Sequence, residues 1–206
     1  LAIFDIDASV LGKEPNYKLI ENLAQQSRMP LCYGGGVKTV QQAQKIFSLG
    51  VEKIALSSGI CQNPSLVTEI AEKVGSQSVI AVLDVKKTFF GDYEVYINNG
   101  KKATGIDALQ FVEKLEILGA GEIIINCIDQ DGMMRGYDLN LIDKVRRKIT
   151  IPLTVLGGAG SLDHIKEVIN AHKIIGVAAG SLFVFKGKYK AVLINYPNQI
   201  EKENLF

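Results

Sequence analysis

The sequence predicts an α/β protein of the (β/α)8 TIM-barrel class, made of two similar halves, on two observations. Short apolar runs alternate with amphipathic stretches along the whole chain, and one set of motifs is written twice. Asp5-Ile6-Asp7 returns as Asp129-Gln130-Asp131, an offset of 124 residues; Gly34-Gly35-Gly36 returns as Gly157, Gly158 and Gly160, and Ser57-Ser58-Gly59 as Gly180-Ser181, with offsets of 123 from Gly35 to Gly158 and from Ser58 to Ser181. Strict alternation of β and α implies a parallel sheet with right-handed crossovers, which an open doubly wound sheet and a closed barrel both satisfy. The duplication decides for the barrel, because four βα units written twice make eight.

The strands are read in order as Leu1 to Asp7, Pro30 to Tyr33, Lys53 to Leu56, Ser78 to Asp84, Glu122 to Asp129, Ile151 to Leu156 and Ile174 to Ala179. Most are continuous apolar runs, as strands buried on both faces should be. Helices fit Tyr17 to Gln26, Val40 to Leu49, Ser65 to Val74, Ala108 to Leu118, Leu139 to Lys148, Leu162 to Ala171 and a terminal stretch near Tyr189 to Tyr196. Asn63-Pro64 and Ser161 read as helix starts, and Gly50, Gly75 and Gly119 as stops. Phe89 to Gly105 reads as an inserted hairpin turning at Asn98-Asn99-Gly100. Seven strands are counted, and the missing copy is that of Ser78 to Asp84, which would precede Leu1. The expectation is therefore one (β/α)-barrel domain over residues 1–206, holding units two to eight of a longer natural protein.

Composition excludes several function classes. Lys+Arg of 23 against Asp+Glu of 22 leaves a formal charge of +1, which is no electrostatic footprint for nucleic acid or an anionic membrane. No apolar run reaches the ~18 residues of a membrane span. The three cysteines, Cys32, Cys61 and Cys127, lie in or beside apolar runs, the usage of reduced, packed thiols in a cytoplasmic protein. The two histidines, His164 and His172, stand eight apart in a helical stretch and offer neither a metal site nor a base for a catalytic thiol. Neither a cofactor nor a metal is called for.

Chemistry is expected where the small residues fall, at the C-terminal ends of the strands. Glycine there lets backbone N–H groups approach an anion closely. Gly36, Ser57 and Ser58 make one candidate phosphate site, and Gly158, Gly180 and Ser181 with Gly132 make the other. Strands four apart face each other across a barrel, so a ligand with a phosphate at each end fits. Proton transfers then fall to carboxylates. Asp84 ends an apolar strand, where burial would raise its pKa, and Lys86, two residues on and on the same face, would hold it ionised or bind substrate. Asp131 is the second candidate catalytic residue, with Asp5 and Asp129 in support; the bland reading of such aspartates is a helix cap or a turn.

Taken in order, Phe4-Asp5-Ile6-Asp7-Ala8-Ser9, Gly34-Gly35-Gly36, Asn63-Pro64-Ser65-Leu66, Asp84-Val85-Lys86, Gly100-Lys101-Lys102-Ala103-Thr104-Gly105, Ile128-Asp129-Gln130-Asp131-Gly132 and Gly157-Gly158-Ala159-Gly160 resemble the HisF family, the cyclase subunits of imidazole glycerol phosphate synthase in histidine biosynthesis. The resemblance runs from Leu1 to about Phe183. It implies a heterodimer with a HisH-like glutaminase, whose ammonia crosses the barrel and meets a phosphoribulosyl-formimino-aminoimidazole carboxamide ribonucleotide, giving imidazole glycerol phosphate and AICAR. It implies that Asp84 is one of two catalytic aspartates, that Asp131 is a further active-site aspartate with Lys86 its neighbour in the mouth, and that Lys53 and Glu122 are half of a charged ammonia gate on the opposite face. Asp7 and Ser57 stand where the histidine-pathway enzymes often carry Thr and Asn. The tail from Gly180 to Asn198 resembles HisF-like paralogues that conduct ammonia for an amidotransferase in bacterial surface-sugar synthesis. A non-catalytic scaffold regulating a glutaminase is the third reading.

Overall fold

Local sequence chemistry sets most of the helix boundaries. The computed structural model describes residues 1–187 and 189–205. From the N-terminus run β1 (Ala2–Phe4), α1 (Ile6–Val10), α2 (Tyr17–Gln26), β2 (Cys32–Gly34), α3 (Val40–Ser48), β3 (Lys53–Leu56), α4 (Ser58–Gln62) and α5 (Ser65–Val74). The middle holds β4 (Val79–Lys87), β5 (Tyr93–Ile97), β6 (Lys102–Asp107), α6 (Ala108–Ile117) and β7 (Glu122–Cys127). Then follow α7 (Leu139–Arg146), β8 (Leu153–Leu156), α8 (Leu162–His172), β9 (Gly176–Val177), α9 (Ser181–Val184), β10 (Phe185–Lys186), β11 (Ala191–Val192) and α10 (Gln199–Glu203). Side chains of Asn16, Asp107, Asp138 and Ser161 accept from the first-turn N–H groups of α2, α6, α7 and α8, and Thr39 forms a reciprocal box with Gln42 at α3. These caps satisfy donors that a helix start otherwise strands.

One parallel path, β1-β2-β3-β4-β7-β8-β9, orders the seven main strands, and β5 and β6 add to β4 as antiparallel strands. The expected hairpin insertion is therefore present as β5 and β6, and β4 runs on past Asp84 to Lys87 to pair with its first arm. Strands β1 and β8 stand five steps apart, roughly 24 Å in a flat sheet. Yet Phe4 and Leu156 line one cavity of about 440 Å³. The sheet must curl to bring them there.

Curling gives the sheet two apolar faces. Outward-pointing residues such as Tyr33, Ile54, Leu83, Ile123, Ile125 and Val155 form the main core with the helices. Inward-pointing Cys32, Ala55, Ile80, Val82 and Ile124, with Leu156 packed on them, form a second, smaller cluster inside the curl. This is why the strands read as unbroken apolar runs rather than as alternation.

Three sequence expectations need correction. The first strand ends at Phe4 rather than Asp7, because Asp5 accepts from the N–H groups of Asp7 and Ala8 and starts the short helix α1. The strands from Glu122 and Ile174 also stop early, at Cys127 and Val177. No helix covers Tyr189 to Tyr196. That stretch carries β11, paired antiparallel with β10, and Pro197 disfavours a helical Tyr196 before it. The terminal helix lies later, at Gln199–Glu203.

Leu83→Ala should cost about 2–5 kcal/mol in urea unfolding, since the side chain is fully buried between sheet and helices. Phe89→Ala, at the solvent-exposed turn between β4 and β5, should leave the midpoint within about 0.5 kcal/mol of the parent.

Candidate active site at the strand C-termini

Parallel register places the carboxylate of interest. Asp84 on β4 is paired with Asn126 on β7, so both side chains point to the same side of the sheet, into the curl. The Asn126 carboxamide nitrogen donates to Asp84 Oδ1 at 2.9 Å. Burial raises the Asp84 pKa, the nearby charge of Asp131 raises it further, and the Asn126 hydrogen bond opposes both. Lys86 takes no part in this. Its ammonium lies 3.8 Å from Asp129 and 5.8 Å from the Tyr96 ring centroid, so the lysine expected to hold Asp84 ionised serves a different carboxylate.

The cavity above Asp84 gathers most of the first predicted set: Asp5, Gly34, Gly35, Gly36, Ser57, Ser58 and Asp131 line it, with Asn126. A second, much smaller recess is lined by Asp131, Gly132, Gly157, Gly158, Gly180 and Ser181. The two recesses share Asp131 and Leu156. Lys86 and Asp129 line neither. Asp129 instead accepts from the Lys87 backbone N–H at 3.1 Å, tying the turn after β7 to the end of β4.

The glycines have more than one reason to be there. A side chain at Gly36 (φ +71) would meet the Lys13 carbonyl at 2.8 Å, and one at Gly158 (φ +116) would run into the Gly136 carbonyl. Both glycines thus pack against the loop between a strand and its helix, which repeats the duplication at the level of backbone contact. Gly180 differs, with φ −107 and open space where a Cβ would go. Its lack of a side chain is unexplained by the protein's own packing.

At the opposite end of the strands, Lys53 opens β3 and Glu122 opens β7. Their side chains meet at 2.7 Å, and the Thr154 hydroxyl donates to the other Glu122 oxygen at 2.7 Å. Thr154 was not anticipated; its room is made by Gly176, where a Cβ would collide with the threonine hydroxyl. The small inward cluster, Cys32 to Ile124, lies between this ion pair and Asp84. Burial lifts the thiols of Cys32 to about 12 and of Cys61 and Cys127 to about 11, so none is a thiolate near neutrality.

Asn126 is the residue that sequence reasoning missed. The signal was a single polar residue in the run Ile123 to Cys127. It is the one buried polar or charged residue among those described.

A curled parallel sheet with helices outside and its cavity at the C-terminal strand ends defines a barrel-type α/β protein whose chemistry sits on the loops that follow the strands. The chain belongs to the histidine biosynthesis protein family, whose model matches residues 1–190. Relatives carrying the provisional name imidazole glycerol phosphate synthase subunit HisF include that of Leptospira borgpetersenii, 57% identical over 207 residues, covering 100% of this chain and 82% of that protein. One provisionally named subunit hisF3, from Vibrio vulnificus, is 54% identical over 204 residues, covering 98% and 78%. Another, hisF2 of Pseudomonas aeruginosa, is 44% identical over 198 residues, covering 96% and 79%.

A raised carboxyl pKa also carries a stability signature. An unfolded Asp84 ionises near the ordinary value of about 4, earlier than the folded one, so the parent loses stability as pH rises through that window and up to the folded value. Asp84→Asn has no such loss. Its urea midpoint should gain on the parent's between pH 3 and pH 7, and a constant difference across that range would contradict burial of the charge.

Proposed function

We propose that this chain is the ammonia-dependent cyclase subunit of imidazole glycerol phosphate synthase, acting in histidine biosynthesis on the phosphoribulosyl-formimino-aminoimidazole carboxamide ribonucleotide. The observation that carries the reading is Asp84, held at the floor of a 440 Å³ cavity with a glycine-lined recess on either side of Asp131. Family membership and the shared names of the relatives supply the reaction class.

In this reading the recess of Gly36, Ser57 and Ser58 takes one phosphate and that of Gly132, Gly158, Gly180 and Ser181 the other, through backbone N–H groups and hydroxyls. The substrate then bridges the mouth with its reacting centre over Asp84. Ammonia must shed protons as its nitrogen forms a bond to carbon, and the departing aminoimidazole nitrogen must regain one. A carboxyl whose pKa is raised by burial is better suited to both transfers than a free one, with Asp131 as its partner. Asp5 caps α1, and Asp129 ties the turn after β7 to the end of β4 with Lys86 beside it. A neutral nitrogen nucleophile also needs a dry route. The lumen of Cys32, Ala55, Ile80, Val82 and Ile124 favours ammonia over ammonium, and the Lys53–Glu122 pair marks its entry on the face where a HisH-like glutaminase docks as a heterodimer.

The same reading makes residues 1–206 one barrel domain. A complete (β/α)8 barrel needs one more parallel strand between β1 and β9, the two ends of the path, where Leu1, Ile6 and Ile174 are solvent-exposed. No helix of the described residues is long and apolar enough to cross a membrane; the cytoplasmic placement belongs to the biosynthetic reading itself.

Asp84→Asn keeps the shape and removes the proton carrier. Ammonia-dependent turnover of the ribonucleotide by the full protein with its glutaminase should fall by roughly 10²–10⁴. If the parent shows no turnover but still supports glutamine hydrolysis, it conducts ammonia for another enzyme. A second measurement addresses the phosphates. Gly180→Val fills open space, so calorimetry should show a weakened bisphosphate ligand and an unchanged fold; equal binding by parent and variant would remove Gly180 from the site.

A further inference from the structure

The carboxamide of Asn126 is arranged at its own expense. Its nitrogen donates to Asp84 Oδ1 at 2.9 Å, while its oxygen is buried without a hydrogen-bond partner. The side chain is more than nine-tenths buried and lines the cavity. A buried acceptor left unpaired is a cost that folding alone gives no reason to accept. Gly157 stands against that oxygen: a Cβ there would lie 2.8 Å from Oδ1 and 2.6 Å from the Cys127 carbonyl. Glycine at 157 thus leaves the carboxamide the room that any side chain would take from it, and the parallel register of β4 and β7 keeps it beside the carboxylate.

We propose that Asn126 is the positioning residue of the acid–base carboxylate, serving Asp84 in both protonation states: its NH2 donates to the carboxylate, and after the amide rotates about its terminal torsion its oxygen accepts from the carboxylic acid. This rests on the cyclase reading of Asp84. The chemistry explains the choice of amide. A lysine or arginine at this place would hold Asp84 permanently ionised and spoil it as a proton donor, whereas a leucine would leave the carboxylate without a donor. An amide presents a donor and an acceptor of nearly equal shape, so the carboxyl keeps its orientation whether it has lost or gained its proton. The unpaired oxygen is then the second half of the device, idle while Asp84 is ionised. The other groups facing Asp84 cannot do this. Asp131 is a like charge, Cys61 on α4 is a neutral thiol, and Lys86 is engaged with Asp129.

The test reads Asp84 directly. In the full protein, the carboxyl 13C signal of Asp84, identified by its loss in Asp84→Asn, is titrated in the parent, in Asn126→Leu and in Asn126→Ser. Loss of the donor in Asn126→Leu should move the Asp84 midpoint up by roughly one pH unit, and Asn126→Ser, which keeps a donor and an acceptor, should restore most of it. The acidic limb of the kcat profile for ammonia-dependent turnover should move by the same amount, with KM for the ribonucleotide little changed. A midpoint unmoved in both variants would overturn the proposal. A shifted midpoint in a protein whose parent has no turnover would uphold the pairing and sink the cyclase reading instead. Should Asn126→Leu fail to fold, Asn126→Ser against the parent decides: retention of the parent midpoint together with a kcat lowered more than tenfold at every pH would assign Asn126 to substrate contact and overturn positioning.

Discussion

The ladder between β4 and β7 is the constraint on which the rest depends. Six successive pairs, from Ile80 with Glu122 to Val85 with Cys127, lock the two strands in one register. Because side chains alternate along a strand, that register sends Ile80, Val82 and Asp84 of β4 and Glu122, Ile124 and Asn126 of β7 to the inside of the curl. One residue of slip would turn the carboxylate into the helical layer and bring apolar side chains to the cavity. Glu122 of the ion pair, the apolar Ile80, Val82 and Ile124, and the hydrogen-bonded Asp84 and Asn126 are therefore three levels of one pair of strands.

Energetics and function pull in different directions at the upper level. The outward faces of the same strands are fully buried and supply the packing that holds the sheet to its helices. That packing tolerates what the inward face costs: a half-buried carboxylate with a raised pKa, an amide oxygen without a partner and turns of glycine at positive φ. The lower level is built differently. Glu122 has both oxygens occupied, by Lys53 and Thr154, and the pair is partly open to solvent.

The duplication visible in the sequence has a physical counterpart in the two glycine turns. Gly35 and Gly36 follow β2, and Gly157 and Gly158 follow β8, all at positive φ, and in each pair the second glycine packs on the loop of the preceding βα unit. The repeat thus conserves a backbone contact as well as a recess. A sequence motif of this kind is overdetermined. It marks the right place while leaving open whether loop packing or ligand approach demanded it.

Alternation of apolar runs with amphipathic stretches was enough to locate all seven parallel strands and six helices, two of them, Tyr17–Gln26 and Ser65–Val74, with the bounds observed. These are local properties: burial on both faces, caps and glycine stops act within a few residues. The recesses were legible for the same reason, since small residues at strand ends are a local pattern repeated at fixed spacing. What the tertiary structure decided are pairings between residues far apart in the chain. Lys86 lies close to Asp84 in sequence, yet the extension of β4 into a hairpin carries its ammonium to Asp129, while Asn126, 42 residues away, is delivered to Asp84 by register. The short helices α1 and α4 and the extended tail also escaped local reading, because too few residues in each carry a period. Sequence determined which segments are strands buried on both faces and their order along the chain; only the curl of the sheet decided which groups meet there, because side-chain partners across a parallel sheet are set by strand order and register.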